Sequence, residues 1–231
     1  MTSGYRSPVR ASKILPKLNT RVRFPSSAPL KSRVSTVHTM DSDAIWRTID
    51  EQRTALADLL DTFTPDQWAT QSLCDGWTVR DVAVHLTQSH VGRKELVLGA
   101  LKSGFRFDAM VRRAAINDEK TPQEITARLR AMVGSRQRPP MTAEVDPLMD
   151  ILVHTQDICI PLGIDRPMPT EAAVAAAKRL WHMKFPFTPQ RDLPGYRFVA
   201  TDASFAVGPQ WGALREEPIG DIVLSFARRR P

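Results

Sequence analysis

The chain has 231 residues, enough for one or two domains, and its 42% hydrophobic and 25% charged residues are the balance of an ordinary globular protein. Its net charge of +7 misleads: eight of the 32 basic residues and none of the 25 acidic ones fall in residues 1–40, which leaves 24 against 25 and no electrostatic footprint for nucleic acid. No apolar run approaches the roughly 20 residues of a membrane span, and two isolated cysteines, Cys74 and Cys159, exclude a disulfide scaffold and suit a reducing cytoplasm.

Residues 1–39 are Arg- and Ser-rich, lack acids and contain Pro8, Pro16, Pro25 and Pro29. Such a segment reads as a disordered tail. It could be a nucleic-acid or membrane tether, a transit peptide, or the product of a start codon assigned too early. The prolines interrupt the amphipathic helix a transit peptide needs. Composition changes abruptly at Met40, which favours Met40 as the true start, and VRFPSSAP resembles a translated transfer-RNA gene end.

Residues 43–61 place Ile45, Ile49, Leu56, Leu59 and Leu60 at helical spacing, with Asp41 or Ser42 as cap. Thr64-Pro65-Asp66 opens a helical turn carrying Trp68. In SLCDGWTVRDVAVHL, residues 72–86, Asp75-Gly76 makes a turn, and Thr78 with Asp81 comes close to a capping box. Val79, Val82, Ala83 and Leu86 then mark a buried face with His85 among them. A lone His on such a face is commonly a satisfied core residue; His90 and Glu95 follow on the same predicted helix. A helix-turn-helix reader is disfavoured, because no Gly stands at the turn and the domain is not basic.

Residues 105–117 form a weak amphipathic pattern around Phe107, Met110, Val111 and Ala114. Thr121-Pro122-Gln123-Glu124 is a strong helix start, and the helix is expected to reach about Gly134 with Ile125, Leu129 and Val133 inward. Residues 136–142 make a polar loop. Arg136, Arg138 and Lys120 could meet an anionic substrate, though solvated surface charge is the simpler reading.

The next stretch, DPLMDILVHTQDICIPLG, runs from Asp146 to Gly163 and organises the chain. Asp146 is expected as N-cap, Pro147 at the first helical position and Gly163 as the left-handed terminator. Leu148, Ile151, Leu152, Thr155 and Ile158 form a core stripe. Asp150 and His154, four residues apart, share one face beside it. At the edge of a core both groups need partners. A divalent metal would satisfy both; so would a side-chain hydrogen bond at a polar seam.

A second, alanine-rich helix is expected from Pro169-Thr170-Glu171, with Ala173, Val174, Ala177, Leu180 and Trp181, ending before Pro186. YRFVATDASFAV, residues 196–207, alternates as a hairpin does, and Gln210–Leu214 suits a short third strand. Residues 218–228 read as a terminal helix with Ile219, Ile222, Val223 and Phe226 inward. Met168, Met183, Phe185 and Phe187 suit packing. The fold class expected is mainly α: a four-helix bundle at 40–165, then a small α+β C-terminal domain at 166–231.

SLCDGWTVRDVAVHL resembles the SLCPGWTVRDVLAHL-type motif of the mycothiol-dependent maleylpyruvate isomerase family, and LVHTQDICIPLGIDRP resembles its E-x-x-x-H-G-Q-D-I-x-x-P-L-G segment. The ATDASFAVG-like segment extends the resemblance to the C-terminal part. It implies a DinB-like four-helix bundle binding a divalent metal, typically zinc, through His85, Asp150 and His154. Three departures stand out. Asp150 replaces the usual Glu and shortens the arm by one CH2, Asp75 replaces Pro, and Thr155 replaces Gly and adds bulk beside His154.

Two imidazoles and one carboxylate leave a metal position open, the pattern of a catalytic site; zinc fits, and Fe, Ni, Co or Mn would too. The resemblance implies mycothiol as the thiol cofactor, adding to a conjugated diacid, permitting bond rotation and leaving. The reading is therefore a cytoplasmic metal- and thiol-dependent isomerase or S-transferase acting on a small electrophile. The alternative is a DinB-like metal- or small-molecule-binding protein without turnover. Neither cysteine is expected to be catalytic, Cys74 being read as packing near the metal. No catalytic residue is assigned beyond the metal site, and the sequence is silent on oligomeric state.

Overall fold

In the computed structural model, residues 40–88, 114–138 and 142–229 are described, and all fall in one compact unit, Thr36–Pro231. His90, Glu95, Phe107, Met110 and Val111 lie outside the described residues.

Helix α1 spans Ser42–Leu60 and starts at Asp41, whose carboxylate accepts the Ala44 N–H at 2.7 Å. Helix α2, Pro65–Ala69, is closed by a capping box between Thr64 and Gln67 and buries Trp68. Helix α3, Val79–Thr87, starts from a complete box: the Asp81 N–H donates to Thr78 Oγ1 at 3.2 Å, and the Thr78 N–H donates to Asp81 Oδ2 at 2.9 Å. Helix α4, Pro122–Ala131, has Thr121 and Glu124 in the same roles. Two orphan amides are satisfied at each start, which is why these boundaries follow from local sequence. Thr78→Ala should cost about 1 kcal/mol in urea unfolding; no loss would show that packing alone holds the start of α3.

Helix α5, Val145–Cys159, begins before the expected Asp146. Its N-cap, Glu144, makes no side-chain cap bond. Asp146 lies inside the first turn, accepts the Ala143 N–H at 2.8 Å and binds Arg179 Nη2 at 3.1 Å. A partner 33 residues away, invisible to local pattern, sets its role. The helix ends through a 3-10 turn, Ile160–Leu162, and Gly163 at φ 67° stops it in the left-handed region as expected.

Helices α1, α3, α4 and α5 pack in a ring, α1 and α3 each against both α4 and α5. This is the four-helix arrangement. One core cluster lies among α1, α3, α4 and α5, with Leu56, Leu60, Val82, Leu86, Ile125, Leu129, Ile151 and Ile158. A second joins Trp46, Ile49, Leu148 and Leu152 to the C-terminal region through Leu180, Phe198 and Phe226. Val133 is not inward: α4 stops at Ala131, the chain leaves the helical period at Met132, and Met132 is buried while Val133 is 43% exposed.

Helix α6, Thr170–Trp181, packs on α5, and α7 is the short Pro189–Asp192. Strand β1, Tyr196–Ala200, pairs antiparallel with β2, Ala206–Val207, with Phe198 opposite Val207. Strand β3, Ala213–Glu217, runs parallel to β1 and begins later than expected. Before it, the turn through Gly208 and Gly212 presses on β1: a Cβ at Gly208 would collide with the Tyr196 carbonyl oxygen. Helix α8, Ile219–Phe226, closes the region against α6 and buries Ile219, Ile222, Val223 and Phe226. The fold is mainly helical, a four-helix domain followed by a small region bearing a three-stranded sheet. Among the described residues no helix is long and apolar enough to cross a membrane.

Candidate metal centre

Helix α5 contributes to both core clusters, so most of its circumference is buried. Outside the apolar clusters, one face carries Asp150, His154 and, at its buried end, Asp157, spaced i, i+4, i+7. Helix α3 packs against α5 and is rotated by its own buried Val79, Val82, Ala83 and Leu86. That rotation carries His85 to the seam.

There the structure brings His85, Asp150 and His154 together. Asp150 Oδ1 lies 3.6 Å from His85 Nε2 and 3.4 Å from His154 Nε2. The two imidazole rings meet edge to face, centroids 4.8 Å apart, and Trp77 stands edge-on to His85 at 5.6 Å. The three ligand atoms lie within 4.8 Å of one another. One oxygen and two nitrogens converge from two rigid helices, and the His85, Asp150 and His154 side chains are 20%, 31% and 14% exposed, so the cluster is reachable from solvent. This donor set fits a divalent metal with a position left open.

Asp157, which the sequence pattern does not single out, is the buried anchor of the site. Its side chain is fully buried, and Oδ2 lies 2.8 Å from His154 Nδ1. With Asp157 accepting the Nδ1 proton, Nε2 is the nitrogen that faces Asp150, the usual way a carboxylate orients a ligating histidine. Arg229, beyond α8, donates from Nε to Asp157 Oδ1 at 2.7 Å and from Nη2 to Oδ2 at 3.1 Å. The Cys74 thiol donates to Asp157 Oδ2 at 3.1 Å, and the Asp157 carbonyl accepts the Leu73 N–H at 3.1 Å. Cys74 therefore does more than pack: it touches the outer side of His154, with Sγ 3.9 Å from Nδ1. Spacing could have flagged Asp157, three residues beyond His154; no local signal marks Arg229. Thr155 is buried, and among the described residues neither its hydroxyl nor His85 Nδ1 has a hydrogen-bond partner.

The electrostatics follow. Burial alone would raise the Asp150 pKa, but the His85 charge and the His154 hydrogen bond hold it well below the usual carboxylate range. Burial would lower the His154 pKa, but hydrogen bonds to Asp150 and Asp157 hold it well above 6.5. A metal must displace that proton, so binding should weaken as pH falls through the range above 6.5. A zinc titration at several pH values checks this, and a flat affinity from about pH 6 to about pH 8 would contradict it. Burial also opposes ionisation of Asp157, yet His154 and Arg229 bring it down to about 2. Its folded pKa is below the unfolded value, so its stabilisation is present above about pH 4 and lost as pH falls toward about 2. The loss should be about 2 kcal/mol and absent in Asp157→Asn, as acid unfolding would read. Burial pushes the Cys159 thiol up to about 11, so it stays protonated in the core.

Two of the charges that could meet an anionic substrate have partners of their own: Arg136 pairs with Asp43 and Lys120 with Asp118. A groove of about 840 Å³ lined by residues including Asp43, Trp46, Asp50 and Asp58 shares no residue with the cluster.

Residues 49–159 match the family model described as mycothiol maleylpyruvate isomerase N-terminal domain, which takes in α3, α5 and all three clustered residues. Among solved structures, one described as the mycothiol-dependent maleylpyruvate isomerase is similar, with a TM-score of 0.57 and 15% identity over 85% of this chain and 92% of that one. That likeness shows a shared fold. No curated protein matches the chain. Residues 49–159 of the chain are thus similar to the mycothiol maleylpyruvate isomerase N-terminal domain.

Proposed function

We propose that the protein is a metal-dependent enzyme using a low-molecular-weight thiol, mycothiol, to isomerise or transfer thiol to a small electrophile such as maleylpyruvate. The observation that carries this is the convergence of His85 Nε2, Asp150 Oδ1 and His154 Nε2 in a family whose described member is mycothiol-dependent. Zinc is the metal proposed, held by those three residues. Bound there with a position open, it would lower a thiol's pKa and hold it as thiolate, the form that attacks.

The chain's own residues do the rest. Asp157 holds the Nδ1 proton of His154 and so aims Nε2 at the site. Arg229 keeps Asp157 ionised and immobile. Trp77 stands against His85 and limits its rotation. The division into a bundle at 40–165 and a C-terminal domain at 166–231, and a cytoplasmic location, are part of the same proposal.

The test is disappearance of maleylpyruvate followed with and without mycothiol, before and after chelation. Turnover that needs both thiol and metal is the expected result. Metal binding without turnover across a panel of thiols and electrophiles would overturn the enzyme reading in favour of a binding protein.

A further inference from the structure

His154 has a candidate metal set on each side of its ring. On the Nε2 side are Asp150 and His85. On the Nδ1 side, Asp157 Oδ2 lies at 2.8 Å and Cys74 Sγ at 3.9 Å, with 3.1 Å between sulfur and that oxygen. All three of these atoms also lie within 4.8 Å of one another. Bonds of about 2.0–2.3 Å in a tetrahedral site separate neighbouring ligands by roughly 3.3–3.7 Å. The Nδ1 set, at 2.8, 3.1 and 3.9 Å, lies a few tenths of an ångström either side of that range, while Asp150 stands at 3.4 and 3.6 Å from the two nitrogens of the Nε2 set; the sulfur gives the Nδ1 set the greater affinity for zinc or cobalt.

The two sets differ in what already compensates their charge. Arg229 Nη2 lies 3.2 Å from Cys74 Sγ and 3.1 Å from Asp157 Oδ2, and Nε lies 2.7 Å from Oδ1. The guanidinium already takes the Cys74 Sγ and Asp157 oxygen lone pairs that a cation bound to this set would need. Among the described residues, the ion pairs of Asp150 are with the two histidines, and no Lys or Arg pairs with it.

We propose that Arg229 decides which nitrogen of His154 takes the metal. By filling the cation position of the Cys74–His154–Asp157 set, it closes that set and leaves Nε2 as the ligand atom. It is a positioning residue, acting through Asp157 and His154. The inference rests on the reading that His85, Asp150 and His154 hold the metal. If Arg229 is removed, a divalent ion can bond to Sγ, Nδ1 and a carboxylate oxygen of the Nδ1 set. The Cys74 and Nδ1 protons then pass to solvent, and no oxidation occurs.

Cobalt(II) absorption tests this on the full chain, because a thiolate ligand adds an intense near-ultraviolet charge-transfer band that imidazole and carboxylate do not. Wild type is expected to show visible ligand-field bands only. Arg229→Gln should gain the charge-transfer band, and Cys74→Ser on top of it should remove it; Arg229→Lys, which keeps the charge, should resemble wild type. A folded Arg229→Gln protein with cobalt bound and no such band overturns the proposal. Wild type offers a second test that needs no altered Arg229: a thiolate band there, lost in Cys74→Ser, also overturns it. Wild-type cobalt binding that is indifferent to His85→Ala would instead sink the reading of His85, Asp150 and His154 as the metal site, while the Arg229→Gln comparison still decides whether Arg229 closes the Nδ1 set.

Discussion

His154→Ala is expected to remove bound metal altogether while the bundle stays folded. His154 is the one residue common to both candidate sets, and on the proposed reading it would supply a ligand from α5. Loss of an outer partner alone typically costs about 10–100-fold in metal affinity, and loss of a ligand should exceed that. The fold should survive because Asp157 keeps Arg229 as partner and the core residues of α5, Leu148, Ile151, Leu152 and Ile158, are untouched. Mass-spectrometric metal content beside circular dichroism checks both halves. Undiminished metal in a folded variant would remove His154 from the site.

Asp157→Ala should produce the largest loss of stability of any single change at the site, about 3–5 kcal/mol. The side chain is fully buried and answers Arg229, His154 and the Cys74 thiol together. Its removal leaves a guanidinium and an imidazole with buried donors unmet. The same change should weaken zinc binding about 10–100-fold, because His154 loses the acceptor that fixes its tautomer. Urea unfolding with an unchanged m-value, and zinc competition against a chromophoric chelator, measure the two effects. Asp157→Asn separates them: it retains an acceptor for Nδ1–H but loses the charge facing Arg229, so affinity should recover more than stability. A stability loss below about 1 kcal/mol for Asp157→Ala would show that Arg229 and His154 find other partners.

These two residues also show how far local pattern reaches. The box at Thr78, the helix start at Thr121, the turn opened by Thr64 and the left-handed stop at Gly163 stand in the structure where the sequence places them, and of the two caps open for α1 the structure takes Asp41. Each depends on atoms within a few residues, so a short run of letters suffices. The core stripe of α5 is equally legible because helical period maps directly onto burial. The failures share the opposite cause. Asp146 looks like a cap but is drawn into a pair with Arg179 on another helix. Val133 continues a period that the backbone has already left, so Met132 is buried in its place.

The sequence by itself determined most of the helices, the starts that their own side chains cap, the mainly helical class and the placing of Asp150 with His154 on one face. Helix geometry is a local property, and residues one turn apart on one helix cannot be arranged otherwise. Only the tertiary structure decided that His85 meets that pair, because this depends on the rotation of α3 against α5. Only it showed that Asp157, Cys74 and Arg229 close around the far side of His154, across 72 residues of chain between Asp157 and Arg229. Hydrogen bonds of that separation are selected by packing and burial, which no spacing rule in the chain encodes.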